Sequence, residues 1–302
     1  MKVFDLHIDL STFCLTTGRT NIKIEKGIGR KSFPDQVDIP RLKKGEVKSF
    51  LGNMGTILVS GKDFIVAPDP LSEFIRQLAF YKNISLTNKL SIEGIYFIKN
   101  ESDLKIVPFL KKSGVASASL TWNFSNKLGA GLNEEKSENG LTPLGKEFIR
   151  VCEKNKIVID AVHSNRKTFQ DIIKFSKRPV MVSHTASYEI AKHPRNMTRK
   201  EMRQIANTGG LIGLCFVRDF IGGDTFESAI ASMKDLVKNA GINHVAIGSD
   251  FDGMDWSDVM KDFPDISVMQ KFVKVCRKAG FKETELEKIF FKNADNFFKI
   301  NT

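Results

Sequence analysis

The chain has 302 residues, of which 41% are hydrophobic and 27% are charged, and its formal net charge is +11, a composition typical of a soluble globular enzyme. Its lysines are spread along the chain without a dense basic block, which argues against a nucleic-acid partner. No apolar run reaches the ~18 residues of a membrane span and no signal peptide is apparent, so we expect a cytoplasmic protein without a membrane partner.

Short apolar runs alternate with amphipathic stretches almost to the end of the chain, which predicts strands alternating with helices. A first strand within residues 1–10 is followed by a polar segment that we predict as a long loop through Lys44. The apolar segment 47–59 is interrupted by Gly52 and Gly55, and the position of its strand stays open. The other predicted strands are, in chain order, 86–95, 115–120, 157–162, 179–182, 211–217 and 245–248.

Amphipathic spacing predicts helices between these strands. Thr198 and Glu201 have the spacing of a capping box at the start of one helix, and Pro143 occupies an early position of another. The polar, glycine-rich segment 124–139 is predicted as a second long loop. The predicted helices are 71–83, 103–113, 143–155, 164–176, 199–207 and 226–240, with two more within 266–300.

Counted generously, these elements form eight strand–helix units, and such alternation favours a parallel sheet. A doubly wound open sheet is the competing architecture, but no GxGxxG or P-loop follows any predicted strand. A single (β/α)8 TIM barrel fits the length and the count better. We therefore predict one α/β barrel domain over residues 1–302, with long loops after strands 1 and 4 and a C-terminal helical tail.

Side chains with metal-binding chemistry stand at the downstream ends of the predicted strands. In a barrel these ends converge at the C-terminal mouth, where catalytic groups belong. Each residue alone has an ordinary structural explanation, such as a core histidine or a capping acid, but coincidence explains the whole set poorly. The strand-end residues are His7, Asp9, Glu93, Trp122, His163, His184 and Asp250.

Two imidazoles, a His-x-Asp pair and a lone glutamate exceed the three protein ligands that a catalytic zinc usually takes. Five ligands suit two metal ions with Glu93 between them, and such a pair binds a hydroxide and polarises a carbonyl group. Asp250 on the last strand would take the proton and pass it to a leaving amine. The pattern predicts metal-assisted hydrolysis.

The sequence also resembles the membrane dipeptidase (renal dipeptidase) family of the amidohydrolase superfamily, whose members are metal-dependent barrels. The resemblance spans nearly the whole chain. The matching stretches are 5–10, 36–42, 92–94, 120–123, 140–145, 182–186, 193–196 and 247–253. The resemblance implies one zinc ion on His7, Asp9 and Glu93. It implies a second zinc ion on Glu93, His163 and His184.

The same resemblance implies that Arg195 binds the carboxylate of the substrate, a role suited to a guanidinium group. Asp250 matches the acid on the family's last strand. Trp122 stands where mammalian members have a histidine in the Leu-Thr-x-Asn motif, and we expect Trp122 and Asn123 to contact substrate. The indole N–H of Trp122 is a neutral hydrogen-bond donor, whereas the imidazolium form of a histidine at this position would be a charged one.

We therefore expect a zinc-dependent dipeptidase with two Zn2+ ions, which hydrolyses L,L- and L,D-dipeptides with a hydroxide held between the metals. Two alternatives stay open. One is another amidohydrolase reaction, on N-acyl amino acids, lactones or β-lactams, and the other is a non-catalytic anion-binding metalloprotein. The expected partner is a small dipeptide substrate, and because the family is often dimeric, the resemblance also allows a homodimer.

Overall fold

The computed structural model describes residues 1–17, 35–60, 63–84, 89–134 and 137–302. Eight parallel strands close into a barrel in the spatial order β1-β10-β9-β8-β7-β6-β5-β2, which confirms the predicted fold class. A separate antiparallel hairpin, β3–β4, follows β2. The strands are β1 (Val3–Ile8), β2 (Val47–Gly55), β3 (Ile57–Ser60), β4 (Asp63–Val66), β5 (Lys89–Glu93), β6 (Val115–Ser119), β7 (Val158–Asp160), β8 (Met181–Thr185), β9 (Leu211–Leu214) and β10 (Val245–Ile247).

Helices follow most of the barrel strands, as a parallel sheet requires. The predicted capping box is confirmed, because the Glu201 carboxylate accepts from the Thr198 N–H at 2.8 Å while the Thr198 hydroxyl accepts from the Glu201 N–H. The α-helices are α1 (Leu10–Thr17), α2 (Ile39–Lys44), α3 (Pro70–Ile84), α4 (Val107–Lys112), α5 (Pro143–Lys154), α6 (Arg166–Phe175), α7 (Arg199–Asn207), α8 (Arg218–Ile221), α9 (Phe226–Ala240), α10 (Met269–Lys278), α11 (Glu283–Glu287) and α12 (Asn293–Asn301). No helix in the described ranges is both long enough and apolar enough to cross a bilayer.

Several segments differ from the sequence-based expectation, and the hairpin β3–β4 and helix α8 were not predicted at all. The loop predicted through Lys44 contains α1 and α2, and Asp38 caps α2 by accepting from the Arg41 N–H at 2.7 Å. The rest of that predicted loop, residues 18–34, lies outside the described residues. In the tail, a π-helical turn over Lys288–Lys292 joins α11 to α12, so the region has three α-helices instead of two.

Apolar side chains fill the barrel and close its N-terminal end, here called the plugged end, and the candidate site lies at the opposite end. A cluster of apolar residues draws on seven of the eight barrel strands, and therefore fills the lumen. Phe297 and Phe298 of α12 belong to this cluster and pack at the N-terminal ends of the strands. Asn293 of α12 fixes that end by donating to the carbonyl of Val245 at 2.8 Å. The C-terminal ends, at the opposite mouth, carry the polar residues described next.

Candidate metal centre

The six predicted ligand and proton-relay residues converge at the C-terminal mouth. His7 lies in β1 and Asp9 follows it, Glu93 ends β5, and His184 lies in β8. His163 and Asp250 come shortly after β7 and β10. Five of the six are buried, and Asp250 is partly buried, so residues far apart in sequence share one shielded site.

The carboxylate of Glu93 occupies the centre of the group. Its Oε1 lies 2.9 Å from Nε2 of His163 and 3.4 Å from Nε2 of His184. The same oxygen lies 3.7 Å from Nε2 of His7. One carboxylate oxygen therefore faces three imidazoles that come from three different strands or strand ends.

A second group of acids surrounds His7. Its Nε2 lies 3.0 Å from Asp9 Oδ2 and 3.9 Å from Asp250 Oδ1. Ligand-type atoms of His7, Asp9 and Asp250 all lie within 4.8 Å of one another, and so do those of His7, Glu93 and His184. His7 is thus shared between two clusters of candidate donors.

An unusual backbone conformation directs the side chains of His163 and Asp250 into the site. His163 has φ 60° and Asp250 has φ 67°, both in the left-handed region that non-glycine residues seldom occupy. Such strain persists where the surrounding structure enforces it, and it concentrates at functional sites. The chain turns sharply after β7 and β10, and this turn directs each side chain into the mouth instead of along the rim.

Neighbouring polar groups orient the rings of the two later histidines. Asn123 Oδ1 lies 2.7 Å from Nδ1 of His163, and Ser183 Oγ lies 2.9 Å from Nδ1 of His184. Their Nε2 atoms lie 3.1 Å apart. With each Nδ1 engaged, both rings direct Nε2 towards Glu93.

Burial and neighbouring charges shift the pKa values of these groups in different directions. Burial, with Arg195 nearby, lowers the pKa of His163 to about 4, and burial takes the pKa of His184 well below its ordinary value. Burial also disfavours the charged form of His7, but the Asp9 and Glu93 carboxylates outweigh it and raise that pKa to about 10. The site thus combines two neutral imidazoles with an acidic pocket around a third.

The donor set fits divalent metal ions. His7 Nε2 and Glu93 Oε1 are buried and have no hydrogen-bond partner within the described part of the chain. The lone pair of a neutral His163 also faces a carboxylate oxygen at 2.9 Å, an arrangement that a nearby cation would stabilise. Imidazole nitrogens and carboxylate oxygens are ligands that zinc accepts.

Arg195 lies beside this cluster on the segment between β8 and α7. Its Nη2 is 3.2 Å from His163 Nε2, and its guanidinium lies 5.5 Å from the centroid of the Phe220 ring. Arg166 at the start of α6 braces the same segment by donating to the carbonyl of Asn196 at 3.0 Å. The arginine is therefore a fixed cation at the edge of the candidate metal site.

A cavity of about 390 Å3 opens over the candidate ligands. Trp122 forms one wall, where its ring stacks on His163 at a centroid distance of 5.4 Å. Acidic and apolar side chains complete the rim. The cavity is lined by Asp9, Glu93, Trp122, Asn123, His163, Arg195 and Asp250, together with Phe13, Ile57, His193, Val217, Asp219, Phe220, Met254 and Asp258.

The sequence model of the family described as membrane dipeptidase (peptidase family M19) matches residues 75–300. The chain belongs to the membrane dipeptidase family. The resemblance drawn from the motifs is thereby confirmed, and membership places the chain among the metallodipeptidase hydrolases.

A relative named as a dipeptidase agrees with this assignment. Dipeptidase ataJ of Aspergillus terreus is 34% identical over 137 residues, which are 44% of this chain and 33% of that protein. A Klebsiella pneumoniae protein, described as uncharacterized and encoded in the pqqA 5' region, is 28% identical over 193 residues, 60% of this chain and 70% of its own length. The chain thus spans about a third of the Aspergillus relative.

The fold also matches a solved structure over its full length. A metallo peptidase from Rhodobacter sphaeroides, liganded with a phosphinate mimic of the dipeptide L-Ala-D-Ala, superposes with a TM-score of 0.86 at 19% sequence identity. The match covers 100% of this chain and 99% of that chain. At this level of identity, the similarity establishes the barrel architecture.

Sequence reasoning missed one buried residue that contacts two of the candidate ligands. Asn53 of β2 is fully buried, and its Nδ2 donates to Asp9 Oδ1 at 2.7 Å and to Glu93 Oε2 at 3.2 Å. Asparagine carries no metal-ligand signature, so residue type alone gave no signal. The pairing of Asn53 with Ser91, two residues before Glu93, would have located it, but the sequence left this strand unplaced.

Proposed function

We propose that the chain is a zinc-dependent dipeptidase that hydrolyses L,L- and L,D-dipeptides. One observation carries the proposal. A single oxygen of Glu93 lies within 3.7 Å of the Nε2 atoms of three histidines, at the mouth of a barrel whose sequence belongs to the membrane dipeptidase family. A carboxylate that faces several imidazoles would give a pair of metal ions both oxygen and nitrogen ligands.

In this proposal His7, Asp9 and Glu93 would hold one zinc ion. Glu93, His163 and His184 would hold the other. When bound, the metal pair supplies the Lewis acidity that activates water near neutral pH and polarises the scissile carbonyl. The low pKa values of His163 and His184 favour metal binding, because a neutral imidazole offers its lone pair to a metal ion without first losing a proton.

Arg195 binds the C-terminal carboxylate of the dipeptide. Its guanidinium is buried in the wall of the cavity and stacked near Phe220, so it is held in one orientation before substrate arrives. A planar guanidinium offers two parallel donors to a carboxylate. This contact selects a substrate that ends one residue beyond the scissile bond.

Asp250 holds and transfers the proton at its Oδ1. Burial and the nearby Asp9 and Glu93 carboxylates raise its pKa to about 8 when no metal ion is bound. Its Oδ1 lies 3.9 Å from His7 Nε2, on the side of the site that faces the cavity. It can take a proton from the attacking water and give it to the departing amine.

The cavity sets the size of the substrate. A volume of about 390 Å3 is at the small end of ligand pockets, which suits a dipeptide better than a longer peptide. Trp122 and Asn123 line this cavity and contact the bound dipeptide in this proposal. The Rhodobacter structure with its L-Ala-D-Ala mimic supports a D-residue at the C-terminal position as one substrate class.

The test is a zinc-loaded activity screen combined with metal analysis. We expect close to two zinc ions per chain, and turnover of L,L- and L,D-dipeptides that a chelator abolishes and zinc restores. Glu93→Gln, which keeps shape but removes the charge, should lose both zinc and turnover. No zinc after reconstitution, or turnover of lactones or N-acyl amino acids with no dipeptide cleaved, would refute the proposal.

A further inference from the structure

The two carboxylates predicted to bind metal share one hydrogen-bond donor. Nδ2 of Asn53 lies 2.7 Å from Asp9 Oδ1 and 3.2 Å from Glu93 Oε2. The side chain is fully buried on β2, between β1 and β5 in the barrel. An amide NH2 has two hydrogens, so it can donate to both carboxylates at once.

The Asn53 amide contacts only one oxygen of each carboxylate, the one that does not face the histidines. Asp9 directs its other oxygen, Oδ2, to His7 Nε2 at 3.0 Å. Glu93 likewise directs Oε1 to the three histidines and leaves Oε2 to the amide. The amide therefore leaves one oxygen of each acid directed into the candidate metal site.

The orientation of the amide is itself determined by a neighbour. Ser91 Oγ donates to Asn53 Oδ1 at 3.2 Å, and the backbone carbonyl of Asn53 accepts from Ser11 Oγ at 2.8 Å. Two ionised carboxylates offer only acceptors, so the NH2 group must face them and the amide oxygen must face Ser91. A flipped amide would place its oxygen against two anions.

We infer that Asn53 is a positioning residue, whose amide holds Asp9 and Glu93 in the orientation in which each presents one oxygen to the proposed metal pair. This inference rests on the metal site of the proposed function. Residues that orient metal ligands typically change metal affinity 10–100-fold when replaced. The amide also reduces the repulsion between two carboxylates brought together in a buried site.

Zn2+ affinity, measured by competition with a chromophoric chelator, tests this role without reference to activity. Asn53→Leu keeps the volume and removes the donor, and we expect about 10–100-fold weaker Zn2+ binding. The d–d absorption spectrum of the Co2+-loaded variant should also change, because the coordinating oxygens are reoriented. Asn301→Leu makes the same change at the plugged end of the barrel and should leave Zn2+ affinity unaltered.

Ser91→Ala is a milder variant and tests whether Ser91 acts through Asn53. It should weaken Zn2+ binding. The double variant with Asn53→Leu and Ser91→Ala should bind Zn2+ no more weakly than Asn53→Leu alone, because Ser91 acts only through Asn53. Should Asn53→Leu fail to fold, as judged by circular dichroism, Ser91→Ala decides the question. Parental Zn2+ affinity in a folded Asn53→Leu, or in Ser91→Ala, would overturn the inference. Absence of Zn2+ binding by the parent would instead refute the proposed function.

Discussion

Asn123 Oδ1 lies 2.7 Å from Nδ1 of His163. Because an amide oxygen only accepts, this contact keeps the hydrogen on Nδ1 and leaves the lone pair on Nε2. Nε2 is the atom that faces Glu93 Oε1 at 2.9 Å. Asn123 lines the cavity and was predicted to contact substrate, and the structure adds a second contact, to a candidate metal ligand.

Replacing Asn123 should therefore affect metal binding. Asn123→Leu removes the acceptor, and we expect about 10–100-fold weaker Zn2+ binding because the imidazole loses its fixed tautomer and orientation. Asn123→Asp keeps an acceptor at the same place and should retain parental or tighter binding. Chelator competition measures both constants. Equal affinities for the two variants would show that the contact does not orient His163.

Removing the guanidinium of Arg195 should chiefly weaken substrate binding. A hydrogen bond to a charged group contributes about 1.5–3 kcal/mol, so Arg195→Ala should raise KM for dipeptides roughly 10–100-fold. Dipeptide amides, which lack the carboxylate, should be cleaved by variant and parent with similar KM. Steady-state kinetics on paired acid and amide substrates test this. A loss confined to kcat would contradict carboxylate binding.

Trp122 should control which side chains the cavity accepts. Its ring stacks on His163 at an interplanar angle of 27°, so it forms a flat apolar wall. Trp122→Phe preserves such a wall, whereas Trp122→Ala removes it and should lower kcat/KM about tenfold for dipeptides with apolar side chains, with less effect on glycine-containing ones. Relative kcat/KM values across a panel provide the measurement. A uniform loss for all substrates would argue for a purely structural role.

The pH dependence of stability should change in Asp160→Asn. Burial raises the pKa of Asp160 to about 6, although Ser183 and Val162 donate to its carboxylate. In the unfolded chain the pKa of this carboxyl group is about 3.9, so the folded state binds the proton more tightly. The contribution of Asp160 to stability therefore falls as the pH rises from about 4 to about 6. Asparagine does not titrate.

We expect the difference in unfolding free energy between variant and parent to grow by about 2 kcal/mol from pH 4 to pH 7, in favour of the variant. Urea titrations with chelator present measure it. The comparison cancels the titrating groups that do not interact with Asp160. A difference that stays constant across this range would mean that Asp160 has an ordinary pKa.

The strands and site residues that could be predicted from the sequence were those marked by a pattern of neighbouring residues. An apolar run followed by His, Asp or Glu identified the strand ends at His7, Glu93 and His184, and the family motifs supported them. Non-local causes were harder to detect. Gly52 interrupts the pattern of β2 because the Tyr81 ring lies against it, where an added Cβ would be 2.6 Å from a ring carbon. With that strand unplaced, Asn53 could not be connected to the site.

The closure of the barrel has a consequence for the order of folding. β1 pairs with both β2 and β10, so the first and last strands of the barrel are neighbours although they are far apart in sequence. His7 and Asp9 cannot be enclosed until β10 and Asp250 have joined β1. In this architecture, the proposed metal site is assembled only when the barrel closes.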